Sequence, residues 1–261
     1  MIGKLIKYDL KKMLKILLYI YVVALALSGI TRLINIGRDI QFVFIIGQVF
    51  AGFSYSALAS ILVNTFVHII RVFIVNFYKD ESYLTHTLPI SKNKLLISKY
   101  VSSLIVVLCS VLVCLLSLFI MFYTNELANA IKLFFEATIP NFNMSVGLFV
   151  FIVLMIVFVQ ICAYMTFAFT AIIKANQYNH RRVLKGLIWF FIFYLGSMIV
   201  TLIIALIAFA IGGNLNDLMA SQMSQSGIIT LLIIALVTYI AYIVIFYFIS
   251  RKLFNKGVNV D

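Results

Sequence analysis

The chain has 261 residues, 64% of them hydrophobic and only 11% charged, with a formal net charge of +12 at pH 7. A soluble domain is about 45–50% apolar, so this composition excludes water as the main solvent of the folded chain. In hydrocarbon every backbone N–H and C=O must be bonded internally, which leaves helices or a closed barrel; apolar runs continuous over roughly 20 residues, rather than alternating over about 10, exclude the barrel.

Residues 1–13 come first. Ile2, Leu5, Ile6, Leu10 and Met13 recur at helical spacing, while Lys4, Lys7, Lys11 and Lys12 occupy the other faces. This is the pattern of a helix lying in the membrane interface, expected as a distinct elbow before the first span. A removable signal peptide is not expected, because no small-residue cleavage site follows the first apolar run.

Six runs are long enough to cross a bilayer: residues 14–31, 42–70, 100–123, 146–173, 187–211 and 228–250. Within the second, Gly47, Ala51, Gly52, Ser56, Ala59 and Ser60 form a small-residue stripe that lets backbones approach closely. It reads as a helix-packing face, with substrate lining as the alternative. Asn64, His68 and Arg71 repeat at i, i+4 and i+7 on one face near the end of that run. The stripe is either a solvated extension or the lining of an inner vestibule on a translocation path.

Between the third and fourth runs, Leu127, Ile131, Phe134, Phe135 and Thr138 share one side of a candidate interfacial helix that stops before Pro140. Asn143-Met144-Ser145 matches a glycosylation sequon too short to carry weight. Gln160, in the middle of the fourth run, is the most notable polar group at membrane depth, since an unpartnered amide in lipid is costly. A bond to a neighbouring helix is expected for it, with substrate contact as the other reading. Gln48, Thr166, Thr170, Thr201 and Thr238 are milder. The loop 212–227 is polar and carries no catalytic pattern.

Lys and Arg are retained on the cytoplasmic side. With both termini inside, 17 of the 20 basic residues fall on that side, leaving only Arg32, Arg38 and Lys132 outside. Positive-inside sorting thus accounts for the net charge without nucleic acid; contact with anionic membrane lipid is the other use of such residues.

Several chemistries lack their residues. The only Gly-Lys pair is Gly3-Lys4, with no room before it for a phosphate-cradling loop, so the chain is not expected to hydrolyse ATP alone. His68, His86 and His180 are scattered and form no zinc-protease motif. Cys109, Cys114 and Cys162 lie in apolar runs as small hydrophobes. All eight carboxylates lie at span ends or in loops, none at the mid-membrane depth that ion-coupled carriers use. No metal, bound cofactor or catalytic residue is expected.

The segment between the second and third runs reads Tyr78-Lys79-Asp80-Glu81-Ser82-Tyr83-Leu84-Thr85-His86-Thr87-Leu88-Pro89-Ile90-Ser91-Lys92, with Ser98-Lys99 following. A short helix with Tyr83, Leu84, Thr87 and Leu88 on one face is predicted, ended at Pro89, whose ring disfavours α geometry in the preceding residue. Ser91 can cap the helix leading into the third span.

Here the chain resembles the permease subunits of bacterial ABC-2 type transporters. The resemblance rests on Asp80-Glu81 followed by Tyr83-Leu84-Thr85, on Thr87-Leu88-Pro89-Ile90-Ser91, and on the basic start Gly3 to Lys11. It implies an all-α, six-span permease domain over 1–261 in a bacterial cytoplasmic membrane, paired with an identical or different second permease. It also implies separate ATPase subunits that hold ATP and Mg, and a coupling helix within 79–99 presenting Asp80, Glu81, Tyr83, Leu84, Thr87, Leu88 and Pro89 to them. The low polarity of the spans suits an apolar or amphipathic cargo: an antimicrobial or amphipathic peptide, a drug or a lipid. The rival expectation is a membrane scaffold or sensor that docks a cytoplasmic regulator.

Overall fold

A computed structural model describes residues 2–37, 40–79, 81–87, 90–122, 129, 133, 145–178, 180–211 and 225–256. Among them the chain is all-α, with six helices long and apolar enough to cross a membrane. It divides into two compact units, Met1–Leu127 and Ala128–Asp261.

The first unit holds α1 (Ile2–Ile36), α2 (Gln41–Tyr78), the short α3 (Ser82–Thr87) and α4 (Lys92–Phe122). The second holds α5 (Val146–Ala175), α6 (Arg182–Ile211) and α7 (Gln225–Asn255). As far as its residues are described, each apolar run lies within one of the six long helices, and every helix extends beyond its run at one end or both. The 38 residues of α2 span about 57 Å at 1.5 Å each, well past a hydrocarbon core of about 30 Å.

The amphipathic start is not a separate elbow. It runs without a break into the first span, because no proline interrupts it and one buried stripe continues through both: Asp9, Met13, Leu17, Tyr21, Ala24, Ser28 and Thr31. That stripe sets α1 between α2 and α4. Lipid is as apolar as leucine, so packing and interhelical hydrogen bonds hold such helices together. Tyr21 Oη lies 2.6 Å from Ser110 Oγ, and Ser110 Oγ lies 2.8 Å from Thr65 Oγ1, so one hydroxyl junction joins α1, α4 and α2. Thr31 and Ser54 make a second α1–α2 bridge at 2.8 Å.

The small-residue stripe of α2 is buried within this unit only at Gly47. Gly47 is buried, and a Cβ there would sit 3.1 Å from Asn35 Oδ1; Gly52, Ser56 and Ala59 are exposed, and Gly52 has open space around it. The packed face instead carries Ser54, Leu58, Ile61, Thr65, Ile69, Val72 and Asn76. These larger side chains fill the gap against α1 and α4, where a glycine would leave a void.

In the second unit α5 packs on both α6 and α7. Phe167, Phe193, Tyr242 and Phe246 form its aromatic centre, with Phe167 and Phe246 ring centroids 4.4 Å apart. Thr170 Oγ1 meets Ser250 Oγ at 2.7 Å, and Thr201 meets the Tyr242 hydroxyl at 2.9 Å. At the turn between α5 and α6, Lys174 lies over Trp189 and Lys185 over Tyr178, 5.7 and 4.0 Å from the ring centroids. Such aromatic–cation contacts suit a membrane–water boundary. The candidate helix over 125–138, apart from Asn129 and Leu133, Asn143 and Met144 of the sequon, and residues 212–224 lie outside the described residues.

Candidate functional site

The N-terminal turns of α1, the last turn of α2, Glu81 just before α3, Thr87 at its end and the first turns of α4 converge around a cavity of about 700 Å³. Its floor is a polar network. Asp9, only 5% exposed, is ion-paired with Lys99, itself 5% exposed. Its carboxylate also accepts hydrogen bonds from Ser98 Oγ at 3.4 Å and Asn76 Nδ2 at 3.5 Å. Asn76 Oδ1 accepts in turn from Lys12 Nζ at 3.3 Å, and Lys12 pairs with Glu81 at 2.5 Å.

Removing two charges from water costs several kcal/mol per ion unless geometry and added hydrogen bonds compensate. The amide and hydroxyl on Asp9 provide that compensation. The network therefore specifies one arrangement of four elements: Asp9 fixes α1 against α4, Asn76 adds α2, and Glu81 joins the residue before α3 to α1. Locally, Ser82 N–H bonds to Lys79 O at 2.7 Å to turn the chain into α3. Ser91 occupies the start of α4, where its carbonyl accepts from the N–H groups of Lys94 and Leu95.

The predicted site residues fall in several places. Glu81 and Thr87 line the cavity. Tyr83 is 76% exposed on α3. Asp80, Leu88 and Pro89, and the side chain of Leu84, lie outside the described residues. Asn64 and Arg71 are exposed and His68 half-buried; none of the three lines the cavity. Asn64 donates to Ser60 O at 2.9 Å, a bond within its own helix, while His68 Nε2 is buried with no hydrogen-bond partner among the described residues.

Gln160 departs from expectation. Its amide donates to the Tyr164 hydroxyl at 2.7 Å, one turn along α5, rather than to a neighbouring helix. Tyr164 stacks edge-on with Tyr194 of α6 and Tyr239 of α7, at 5.5 and 6.4 Å. The tyrosine thus carries the amide's partner into the helix interface. Beside it lies a smaller hollow of about 350 Å³, bordered by Ser197, Thr201 and Tyr239.

Asp9, Asn76 and Lys99 are the functional candidates that sequence reasoning missed. One signal was present: Asp9 sits four residues before Met13 and eight before Leu17, on the apolar stripe of α1, where an unpaired carboxylate has no place. Nothing in the sequence names Lys99 as its partner. Among the described residues no three His, Cys, Asp or Glu side chains gather as a metal cradle.

No family model, curated protein or solved structure matches the chain.

Proposed function

We propose that this chain is the permease subunit of an ATP-driven exporter of the ABC-2 type. In this reading residues 1–261 form the membrane domain in a bacterial cytoplasmic membrane, with both termini and α3 on the cytoplasmic side. Separate ATPase subunits bind ATP and Mg, a second permease of the same or a different kind completes the transporter, and the cargo is an amphipathic peptide, a drug or a lipid.

The observation that carries the reading is the setting of α3. This six-residue helix holds Tyr83 out at 76% exposure, while Glu81, the residue before it, is tied through Lys12 to α1. An exposed aromatic side chain on a short helix between two spans suits docking into a partner's groove. A push on that helix has a polar route, through Lys12, Asn76, Asp9 and Lys99, into three long helices. Export of amphipathic cargo fits spans whose polar groups are mostly consumed by internal hydrogen bonds.

The test is copurification. The chain alone should hydrolyse no ATP, and a nucleotide-binding subunit expressed with it should copurify and hydrolyse ATP. Truncating Tyr83 and Leu84 to alanine should release that subunit, whereas alanine at Lys92 and Lys94 should cost much less, since exposed ion pairs contribute only about 0–1 kcal/mol. Retained partner binding and export in the Tyr83/Leu84 variant overturns the coupling assignment. A non-nucleotide-binding regulator held on α3 supports the scaffold instead.

A further inference from the structure

The cavity at the end of the first unit is lined by four lysines, Lys11, Lys12, Lys15 and Lys99, against two carboxylates, Asp9 and Glu81. The carboxylates are already matched by Lys99 and Lys12. Lys11 and Lys15, both exposed at the mouth, have no ion pair among the described residues. Among the described residues, then, two of the cavity's positive charges have no ion-pair partner, over a polar floor.

Its depth is set by α1. Ile16, Leu18, Tyr19, Val22 and Val23 are all at least half exposed, so the lipid-facing belt of this helix begins at residue 16. Lys15 and Lys11 precede that edge by about 1.5 and 7.5 Å along the axis, at 1.5 Å per residue. The headgroup layer occupies the outer 5–8 Å or so of each leaflet. The two lysines thus stand at the level of the phospholipid phosphates. Leu5 and Leu95 give the cavity apolar wall, and about 700 Å³ is far more than one phosphate ion needs.

We infer that this cavity is a binding site for the phosphate group of an anionic phospholipid, held by Lys11 and Lys15, with the headgroup beyond the phosphate reaching outward towards Leu5 and Leu95. A free phosphate shares the charge chemistry but uses neither the apolar wall nor the position at the belt edge. The inference does not rest on transport.

Native mass spectrometry of the full chain in neutral detergent reads it directly. Phosphatidylglycerol should be retained in preference to phosphatidylcholine with the same acyl chains. Lys11→Gln with Lys15→Gln should lower phosphatidylglycerol affinity about 30-fold, on the scale of each lysine's attraction for anionic headgroups. Lys4→Gln with Lys7→Gln removes equal charge from the same helix outside the cavity and should change it by no more than about threefold. Lys15→Gln alone, at an exposed and unpaired side chain, should give about a fivefold loss and keeps the test informative if the double variant unfolds. Equal losses in the two double variants, or none in the cavity pair, overturn the site. Displacement of phosphatidylglycerol by millimolar inorganic phosphate also overturns it, in favour of a soluble-anion site.

Discussion

Asp9 on α1 and Lys99 on α4, 90 positions apart in sequence, form a buried ion pair, and Asn76 of α2 bonds to the same carboxylate. Losing one member of such a pair strands the other charge at a cost on the order of 3–5 kcal/mol, whereas replacing both is often close to neutral. Lys99→Met should therefore destabilise the protein strongly, and Asp9→Asn combined with Lys99→Met should recover most of the loss. Unfolding of the three proteins in mixed detergent measures this. Additive losses would show that the pair is not coupled.

Ser110 serves two side-chain partners on other helices, Tyr21 and Thr65, at membrane depth. Interhelical hydrogen bonds within a bilayer average about 0.6 kcal/mol, with a maximum near 1.7. Ser110→Ala should accordingly cost more than Tyr21→Phe or Thr65→Val, by about one such bond. A double-mutant cycle on Tyr21 and Ser110 should return a coupling energy of that size, and a cycle that closes at zero would reject the junction.

Gly47 and Gly52 separate two readings of one stripe. Leucine at Gly47 meets Asn35 and Ile34 at once, and overpacking of this kind costs typically about 1–3 kcal/mol. A Cβ at Gly52 meets nothing within 4 Å, so a leucine there starts into open space, and leucine is the better helix former. Gly47→Leu should lower the melting temperature of the monomer while Gly52→Leu leaves it unchanged or raises it. A stable monomer whose Gly52→Leu variant no longer self-associates would assign the open face to a second copy.

The proposed orientation rests on the basic residues alone, since placing both termini in the cytoplasm puts 17 of the 20 on that side. Single cysteines at Asn129 and Ser221, in a background lacking Cys109, Cys114 and Cys162, should react with an impermeant thiol reagent in intact cells. One at Asn179 should react only after the membrane is opened. Labelling at Asn179 from outside would reverse the assignment.

The six helices were legible in the sequence because hydrocarbon leaves a continuous apolar run no other way to satisfy its backbone, and that constraint is local to each run. The short helix before Pro89 was legible for a similar reason, since Tyr83 to Thr87 sit at helical spacing ahead of a residue that disfavours its continuation. Which faces meet was not legible. Among membrane helices an apolar side chain gains no transfer energy by leaving lipid for protein, so hydropathy does not separate a packed face from an open one. That is why the stripe from Gly47 to Ser60 suggested a contact that Gly47 alone of it makes fully, while Ser54, Leu58, Thr65 and Asn76 carry the rest. It is also why Gln160 found Tyr164 rather than another helix. The Asp9–Lys99 pair and the cavity above it were settled by tertiary structure alone: a buried charge needs a partner in space, and only packing brings the start of α1 to the end of α2 and the start of α4.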